Sequence, residues 1–306
     1  MTASKADIDR AAELLRRGCL VAFPTETVYG LGADARQGKA VARIFEAKGR
    51  PSFNPLIVHV ASTADAQRYG KWSDTAERLA GAFWPGPLSL VLPLVEGHGL
   101  SPLVTAGLPS VALRVPAHPA AQALLRASGC PLAAPSANPS GRISPTTAQH
   151  VIEGLGGRID AVVDAGPSDV GLESTIIGLF GVPSLLRAGG VPRELIEQVL
   201  GAPLALPKAT DITAPGQLAS HYAPRAAVRL NARVAMAGEV LLGYGPVAGD
   251  ETLSASGDLT EAAARLFSCL HRLDACGAPI AVAPIPEAGL GVAINDRLRR
   301  AAAPRG

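Results

Sequence analysis

Two short polar segments near the amino terminus carry residue types that could bind a ligand. The first, residues 24–32 (PTETVYGLG), follows an apolar run, residues 19–23, that is typical of a buried strand. A turn requires glycine and proline, but it does not require two threonines, a glutamate and a tyrosine together. The second segment places Lys48 and Arg50 just past a predicted helix, with Asn54 four residues later. Polar side chains concentrated at strand and helix ends predict a ligand site.

Arg114 is a second kind of signal, because it is a charged residue inside an apolar strand pattern. The run at 111–115 is VALRV. A charged side chain in a largely buried strand is costly unless it is paired. An arginine can hold a carboxylate through two parallel hydrogen bonds, so Arg114 is a candidate carboxylate clamp. The alternative is a structural ion pair with an aspartate or glutamate of the protein. His59, in the apolar run 56–60, poses a similar choice between a ligand contact and a core residue.

Six motifs, taken in order, resemble the YrdC-like family of threonylcarbamoyl-adenylate synthases. They are the two polar segments above and the sequences at 84–87, 111–116, 134–141 and 173–177. The resemblance covers roughly residues 5–200. It implies an enzyme, a nucleotidyltransferase that joins L-threonine, bicarbonate and ATP into threonylcarbamoyl-AMP and releases pyrophosphate. It also implies a downstream partner, a threonylcarbamoyl-transferase complex that passes the product to an adenosine of tRNA.

The resemblance assigns two groups of residues to the predicted site. The threonine group is Thr27, Tyr29, His59, Arg114, Ala134 and Ser174. The ATP group is Lys48, Arg50, Asn54, Ser110, Ser136, Asn138, Ser144, Arg187 and Tyr222. Lys48 and Arg50 are also the predicted catalytic cations, because this chemistry needs positive charge against phosphate rather than a covalent nucleophile. The alternative for these two is a solvated basic helix end that favours the helix dipole.

Magnesium is expected to accompany ATP, because it neutralises the charge of the pyrophosphate group. The sequence contains no evident carboxylate cluster that would hold the ion on the protein, so no protein ligand of a metal is predicted. The four cysteines have no CxxC spacing, and they predict neither a zinc site nor a disulfide framework. Free thiols suit a reducing cytosol.

The elements that must position the site alternate between helix and strand over residues 1–200, which predicts an α/β domain with a YrdC-like twisted mixed sheet and flanking helices. Predicted strands lie at 19–23, 56–61, 88–92, 111–115, 131–134, 161–164, 174–179 and 183–187. Predicted helices lie at 5–17, 38–48, 74–83, 118–128, 145–154 and 192–200.

Two further units follow that domain. Residues 201–225 are rich in proline and have no clean period, which predicts a linker. The linker resembles the segment that folds over the active site as a lid in longer family members and supplies a tyrosine, here Tyr222. Residues 226–306 predict a small Rossmann-like α/β domain. Its predicted strands are 238–243 and 278–284, and its predicted helices are 258–275 and 291–302.

Composition limits the other function classes. Hydrophobic residues make up 48% of the 306 residues and charged residues 18%, so a sizeable core is expected. No apolar run reaches the ~20 residues of a membrane helix, and we expect a cytoplasmic protein without membrane contact. The net charge of +2 argues against a dedicated RNA-binding module, although a weak tRNA contact stays open. A third hypothesis is an enzyme that makes a carbamoyl-adenylate from carbamoyl phosphate, which would not need an amino-acid clamp.

Overall fold

The first domain is organised by a mixed sheet. The computed structural model of the chain describes residues 1–206 and 221–304, and within these ranges the sheet has nine strands. The strands are β1 (Val21–Phe23), β2 (Gly30–Asp34), β3 (Ile57–His59), β4 (Leu88–Pro93), β5 (Ser110–Arg114), β6 (Leu132–Ala133), β7 (Ala161–Val162), β8 (Thr175–Gly178) and β9 (Ser184–Arg187). Their order across the sheet is β7-β1-β2-β6-β3-β5-β4-β8-β9. The predicted mixed sheet is confirmed.

Helices flank this sheet. They are α1 (Lys5–Arg16), α2 (Gly38–Lys48), α3 (Thr63–Ala66), α4 (Asp74–Phe83), α5 (Pro102–Thr105), α6 (Pro119–Ser128), α7 (Ala148–Leu155) and α8 (Arg193–Leu200). Helix α1 illustrates why they form. The Ser4 hydroxyl caps its first turn by accepting from the Asp7 amide at 3.3 Å, and Ile8 and Leu15 recur on one buried face that packs against α6.

Strand register brings the predicted site residues to one edge of the sheet. Strands β3 and β5 are parallel with His59 opposite Arg114, so both side chains leave the sheet at the same level. Strand β4 is antiparallel to β5 and parallel to β8, so the start of β8 falls at that same edge. Ser174, which directly precedes β8, therefore lies near Arg114. Strand β6 runs antiparallel to β3, and the Ala134 amide donates to the Ile57 carbonyl at 3.0 Å.

Strand β2 is absent from the predicted strands, because its sequence overlaps the polar segment at 24–32. The structure pairs it antiparallel with β1, with Phe23 opposite Gly30. Glycine is required at Gly32, since a Cβ there would lie 2.8 Å from the Phe23 ring. Glycines conceal a strand from a pattern search because they carry no side chain to show its alternation.

The second domain contains a four-stranded parallel sheet within the described residues. Its strands are β10 (Val228–Arg229), β11 (Val240–Gly243), β12 (Glu251–Thr252) and β13 (Ile280–Val282), in the order β10-β13-β11-β12. Helices α9 (Leu259–Ala275) and α10 (Leu290–Ala302) pack on it. The predicted βαβα unit is present, and β10 and β12 are two short strands that the prediction omits.

The two domains share a hydrophobic core. Leu172 and Ile143 of the first domain belong to the same buried cluster as Tyr222 and as Phe267 of α9. The region predicted as a linker and lid is only partly described, because residues 207–220 lie outside the described ranges.

Candidate active site

A cleft opens at the edge of the sheet where β3 and β5 end and β8 begins. Its walls are formed by Thr25, Thr27, Val28, Gly30, Arg50, Pro55, Leu56, Ile57, His59, Arg114, Ala134, Pro135, Ser136, Glu173, Ser174, Arg187, His221 and Tyr222. Three arginines and one glutamate stand among the lining residues in the described part of the chain. That balance favours an anionic ligand.

Arg114 makes two hydrogen bonds and one ion pair with the protein at one end of the cleft. Its Nε donates to the Gly86 carbonyl at 3.2 Å, and its Nη1 donates to the Thr27 hydroxyl at 2.9 Å. Its Nη2 lies 2.8 Å from Oε1 of Glu26, an ion pair that lacks the alignment of a hydrogen bond. Burial is the largest influence and raises the pKa of Glu26, but the Arg114 charge and the short-range contacts with Arg114 and the backbone together outweigh it, so the net shift is downward. Arg114 therefore faces the cleft and is also half of a buried ion pair.

His59 stands beside Arg114 as a neutral imidazole. Burial and the Arg114 charge lower the pKa of His59 to about 3, so it is uncharged at neutral pH. Its ring meets the Phe23 ring edge-on at a centroid distance of 6.3 Å. Its Nδ1 is buried and has no hydrogen-bond partner among the described residues. A buried polar atom facing a cleft is a candidate ligand contact, because leaving it unpaired costs about 1–3 kcal/mol.

Because the pKa of His59 is lowered in the folded protein, the free energy of unfolding depends on pH. The unfolded chain binds a proton on this histidine near its ordinary value of 6.5, whereas the folded chain stays neutral down to about 3. Stability is therefore full above pH 7 and falls as the pH drops below about 6.5. One such histidine should lower the free energy of unfolding by about 2 kcal/mol between pH 7 and pH 5.

Urea unfolding at both pH values measures this loss. We expect the His59→Gln variant to lose about 2 kcal/mol less than the wild type over this interval, because its position 59 no longer titrates. The other buried histidines remain in both proteins, so the difference isolates position 59. Equal losses in the two proteins would contradict a neutral, buried His59.

The remaining residues of the predicted threonine group differ in whether they line the cleft. Ala134 and Ser174 line the cleft, and the Ser174 hydroxyl is held by Ser89 at 2.7 Å and by Nη2 of Arg187 at 3.2 Å. Tyr29 is buried beneath the cleft and is not among its lining residues. The Tyr29 hydroxyl donates to the Gly166 carbonyl at 2.7 Å. The predicted threonine contact of Tyr29 stays a prediction. Its backbone amide bonds the Pro145 carbonyl, which orients the segment that presents Thr27.

Arg50 and Arg187 form a cationic wall. Arg50 is held by the carbonyls of Asn54 and Pro55 at 3.3 and 3.0 Å, and Arg187 bonds the Ser174 carbonyl at 2.8 Å. Burial and the neighbouring Arg187 charge lower the pKa of Arg50 to about 10, so it keeps its proton at pH 7. Two cations that line the same cleft favour a ligand with several negative charges.

Lys48 does not line the cleft. It is 3% exposed, so it is not a solvated helix end. Its ammonium donates to the Ser136 carbonyl at 2.6 Å and to the Asn138 carbonyl. Burial and the charge of Arg50 place the pKa of Lys48 well below its usual value. The left-handed Gly49 at φ 60° ends α2 and separates Lys48 from Arg50. Lys48 thus fixes the loop that carries Ser136, while Arg50 turns into the cleft.

The other nucleotide-group residues surround the cleft to different degrees. Ser136 and Tyr222 line it, whereas Asn138, Ser144, Asn54 and Ser110 do not. Both side-chain amide atoms of Asn54 are buried without a partner among the described residues, as is Oδ1 of Asn138. The Ser144 hydroxyl instead donates to the Glu173 carboxylate.

Ser110 stands apart from this group. It is half-buried and begins β5. The register that pairs Ile57 with Ala112 places it beside Pro55, at the rim of the cleft. Its predicted ATP contact stays a prediction.

Two ionisable lining residues, Glu173 and His221, have no role predicted from the sequence. Glu173 accepts from Ser144 and, at 3.0 Å, from Nε of Arg297 on α10. His221 packs edge-on against Tyr222 at a centroid distance of 4.1 Å. Each directly precedes a residue that the sequence does predict, Ser174 or Tyr222, so neighbouring motif positions are the signal that could have found them.

The described residues contain neither a cluster of metal-ligating side chains nor a membrane-spanning helix. Residues 1–206 and 221–304 contain no group of three or more His, Cys, Asp or Glu side chains that could hold a metal ion. The same ranges contain no helix that is long and apolar enough to cross a membrane.

Comparison with protein families gives two adjacent matches. Residues 13–189 match the Sua5, YciO and YrdC family model, described as "Telomere recombination". Residues 191–303 match the model of the C-terminal domain of threonylcarbamoyl-AMP synthase. Together the two models span both domains.

Comparison with individual proteins agrees with these two family matches. The threonylcarbamoyl-AMP synthase of Pyrococcus abyssi is 44% identical over 316 residues, covering 95% of this chain and 92% of that protein. The Bacillus subtilis threonylcarbamoyl-AMP synthase is 41% identical over 332 residues, covering 100% and 95%. The crystal structure of P. abyssi Sua5 complexed with L-threonine superposes with a TM-score of 0.91 at 42% identity, covering 98% of this chain and 95% of that chain.

Proposed function

Since this chain belongs to the Sua5, YciO and YrdC family and carries the C-terminal domain of threonylcarbamoyl-AMP synthase, we propose that it is an L-threonylcarbamoyladenylate synthase. It converts L-threonine, bicarbonate and ATP into threonylcarbamoyl-AMP and pyrophosphate. The observation that carries this assignment is a single cleft in which Arg114 and His59 stand near the cationic wall of Arg50 and Arg187.

The threonine half of the cleft is built from β3, β5 and the start of β8. Arg114 binds the threonine carboxylate, a bidentate pairing that fixes the orientation of the amino acid. The neutral His59 and the hydroxyls of Thr27 and Ser174 contact the rest of the molecule. The crystal structure of the P. abyssi relative contains L-threonine, which supports threonine as the substrate here.

The nucleotide half is lined by Arg50, Arg187, Ser136 and Tyr222. The threonine amine attacks the carbon of bicarbonate, and a carbamate and water result. A carbamate oxygen then attacks the α-phosphorus, the bond to the β-phosphate oxygen breaks, and pyrophosphate leaves. The arginines stabilise the negative charge that spreads over the phosphate oxygens. Orienting the reactants in one enclosed site supplies the remaining acceleration.

Magnesium arrives with ATP, because phosphate oxygens are the ligands that this ion prefers. Glu173 is the carboxylate that lines the cleft, and it is already paired with Arg297. The product passes in the cytoplasm to a threonylcarbamoyl-transferase complex that modifies tRNA. A weak, salt-dependent contact of this chain with tRNA belongs to the same proposal.

Pyrophosphate release from ATP tests the function. Purified protein should release pyrophosphate when threonine and bicarbonate are both present, and omission of either should reduce the rate to background. Release that needs neither co-substrate would identify an ATP pyrophosphohydrolase and refute the assignment. An Arg299→Ala variant, altered at an exposed arginine of α10, serves as a matched control for preparation quality.

A further inference from the structure

The side chain of Arg297, in the C-terminal domain, contacts residues that line the cleft. It is fully buried, at 0% exposure, although it lies on α10. Its Nε donates to Oε2 of Glu173 at 3.0 Å, and its Nη1 donates to the Ala188 carbonyl at 2.6 Å and to Asp296 at 3.1 Å. Its guanidinium carbon lies 5.3 Å from the centroid of the Tyr222 ring. One side chain thus contacts two lining residues that come from different segments.

Both lining residues need such support. Tyr222 has a φ of 61°, in the left-handed region that costs a residue with a Cβ roughly 1–2 kcal/mol. Its ring contacts Phe267, at a centroid distance of 5.7 Å, and the Arg297 guanidinium. Glu173 is a buried carboxylate that lines the cleft, and burying a charged group is costly unless it has a partner.

Stability alone does not account for a buried arginine. A buried ion pair gains little over an apolar pair of the same volume, because both charges must leave water. The Nη2 group of Arg297 is also buried without a hydrogen-bond partner among the described residues, which adds to the cost. The arrangement does fix the directions of a carboxylate and an aromatic ring at the cleft wall.

We propose that Arg297 is a positioning residue through which the C-terminal domain holds Glu173 and Tyr222 at the wall of the cleft, with its main effect on the nucleotide half through Tyr222. This inference rests on the proposed function. It also gives that domain a direct part in the active site, through a residue 124 positions away from Glu173 in the chain.

The effect should be selective for the nucleotide. Ser174, in the threonine half, is held by Ser89 and Arg187. Arg114 is held by Gly86, Thr27 and Glu26. Loss of Arg297 therefore disturbs the Tyr222 side of the cleft and leaves the threonine contacts in place.

Steady-state kinetics of the full-length Arg297→Met variant test the proposal. We expect the KM for ATP to rise at least about 10-fold while the KM for threonine stays within about twofold. In a Tyr222→Ala background the same substitution should add less than about threefold, because contacts that act as a unit are not additive. Arg299→Ala, an exposed neighbour on the same helix, should leave both constants unchanged.

Three results would overturn the proposal. They are an unchanged KM for ATP in a folded variant, an equal rise of both constants, and a full 10-fold effect that persists without Tyr222. If Arg297→Met does not fold, Arg297→Lys replaces it. That variant keeps the positive charge but loses the planar guanidinium group with its several donors, so it should show an intermediate rise in the KM for ATP. A KM for ATP equal to that of the wild type would refute the role.

Calorimetric titration with ATP separates this inference from the proposed function. A wild type that binds ATP but releases no pyrophosphate would refute the synthase assignment. Weaker ATP binding by Arg297→Met would still support the positioning role in that case, and equal binding would refute it. A wild type that binds no ATP would refute both.

Discussion

Replacing Arg114 with alanine is expected to raise the KM for threonine by about 100-fold or more. Truncating one partner of a buried, charge-assisted contact costs about 2–5 kcal/mol, and 2.7 kcal/mol corresponds to 100-fold. The KM for ATP should change much less, because Arg50 and Arg187 remain in place. Threonine titrations in the pyrophosphate-release assay measure both effects.

The ion pair with Glu26 requires a matched control, because Arg114→Ala also leaves a buried carboxylate without its cation. That loss is expected to destabilise the fold by about 3–5 kcal/mol. The double variant Glu26→Gln/Arg114→Met removes both charges and should recover most of the stability in urea unfolding. If Arg114 binds threonine, the double variant stays defective for threonine. Recovery of the threonine KM together with stability would make Arg114 a purely structural residue.

The second large effect distinguishes Arg50 from Lys48, which the sequence predicts to act together. Arg50→Met should lower kcat/KM for ATP by about 100- to 1,000-fold, because it removes a cation that faces the cleft. Its free energy of unfolding should fall by about 1–3 kcal/mol, because the Asn54 and Pro55 carbonyls lose their buried donor, with part of that loss offset by relief of the repulsion from Arg187.

Lys48→Met should lower the free energy of unfolding by about 2 kcal/mol or more, because the carbonyls of Ser136 and Asn138 lose their buried donor. Urea unfolding and ATP titration of both variants check the pair. Lys39→Met, at an exposed lysine of α2, is the control. A stable, inactive Lys48→Met protein would place the lysine directly in catalysis and contradict its supporting role.

Local pattern is enough to predict several parts of the fold and the site. Apolar periodicity locates α2 and α4 at the residues where the structure has them. The charge inside the apolar run at β5 is by itself enough to single out Arg114. The structural ion pair is present, since Arg114 pairs with Glu26. Arg114 also lines the cleft, where its role as a carboxylate clamp stays a prediction.

The parts that local pattern misses depend on directions and distances that it does not encode. Nothing near Lys48 shows that its side chain turns toward the Ser136 loop, or that Gly49 sends Arg50 the other way. Tyr29 lies between two lining residues, Val28 and Gly30, yet its hydroxyl reaches Gly166 on the far side. The contact of Arg297 with Glu173 joins two domains, and no spacing rule connects the residues.

The most direct test of the central claim is the identity of the product. Wild-type protein should be incubated with ATP and either threonine plus bicarbonate or carbamoyl phosphate, and the adenylates separated and weighed by mass spectrometry. The account predicts threonylcarbamoyl-AMP from the first mixture, and none from that mixture when either threonine or bicarbonate is left out. Carbamoyl-AMP from the second mixture, with no threonylcarbamoyl-AMP from the first, would contradict the amino-acid clamp and the function built on it.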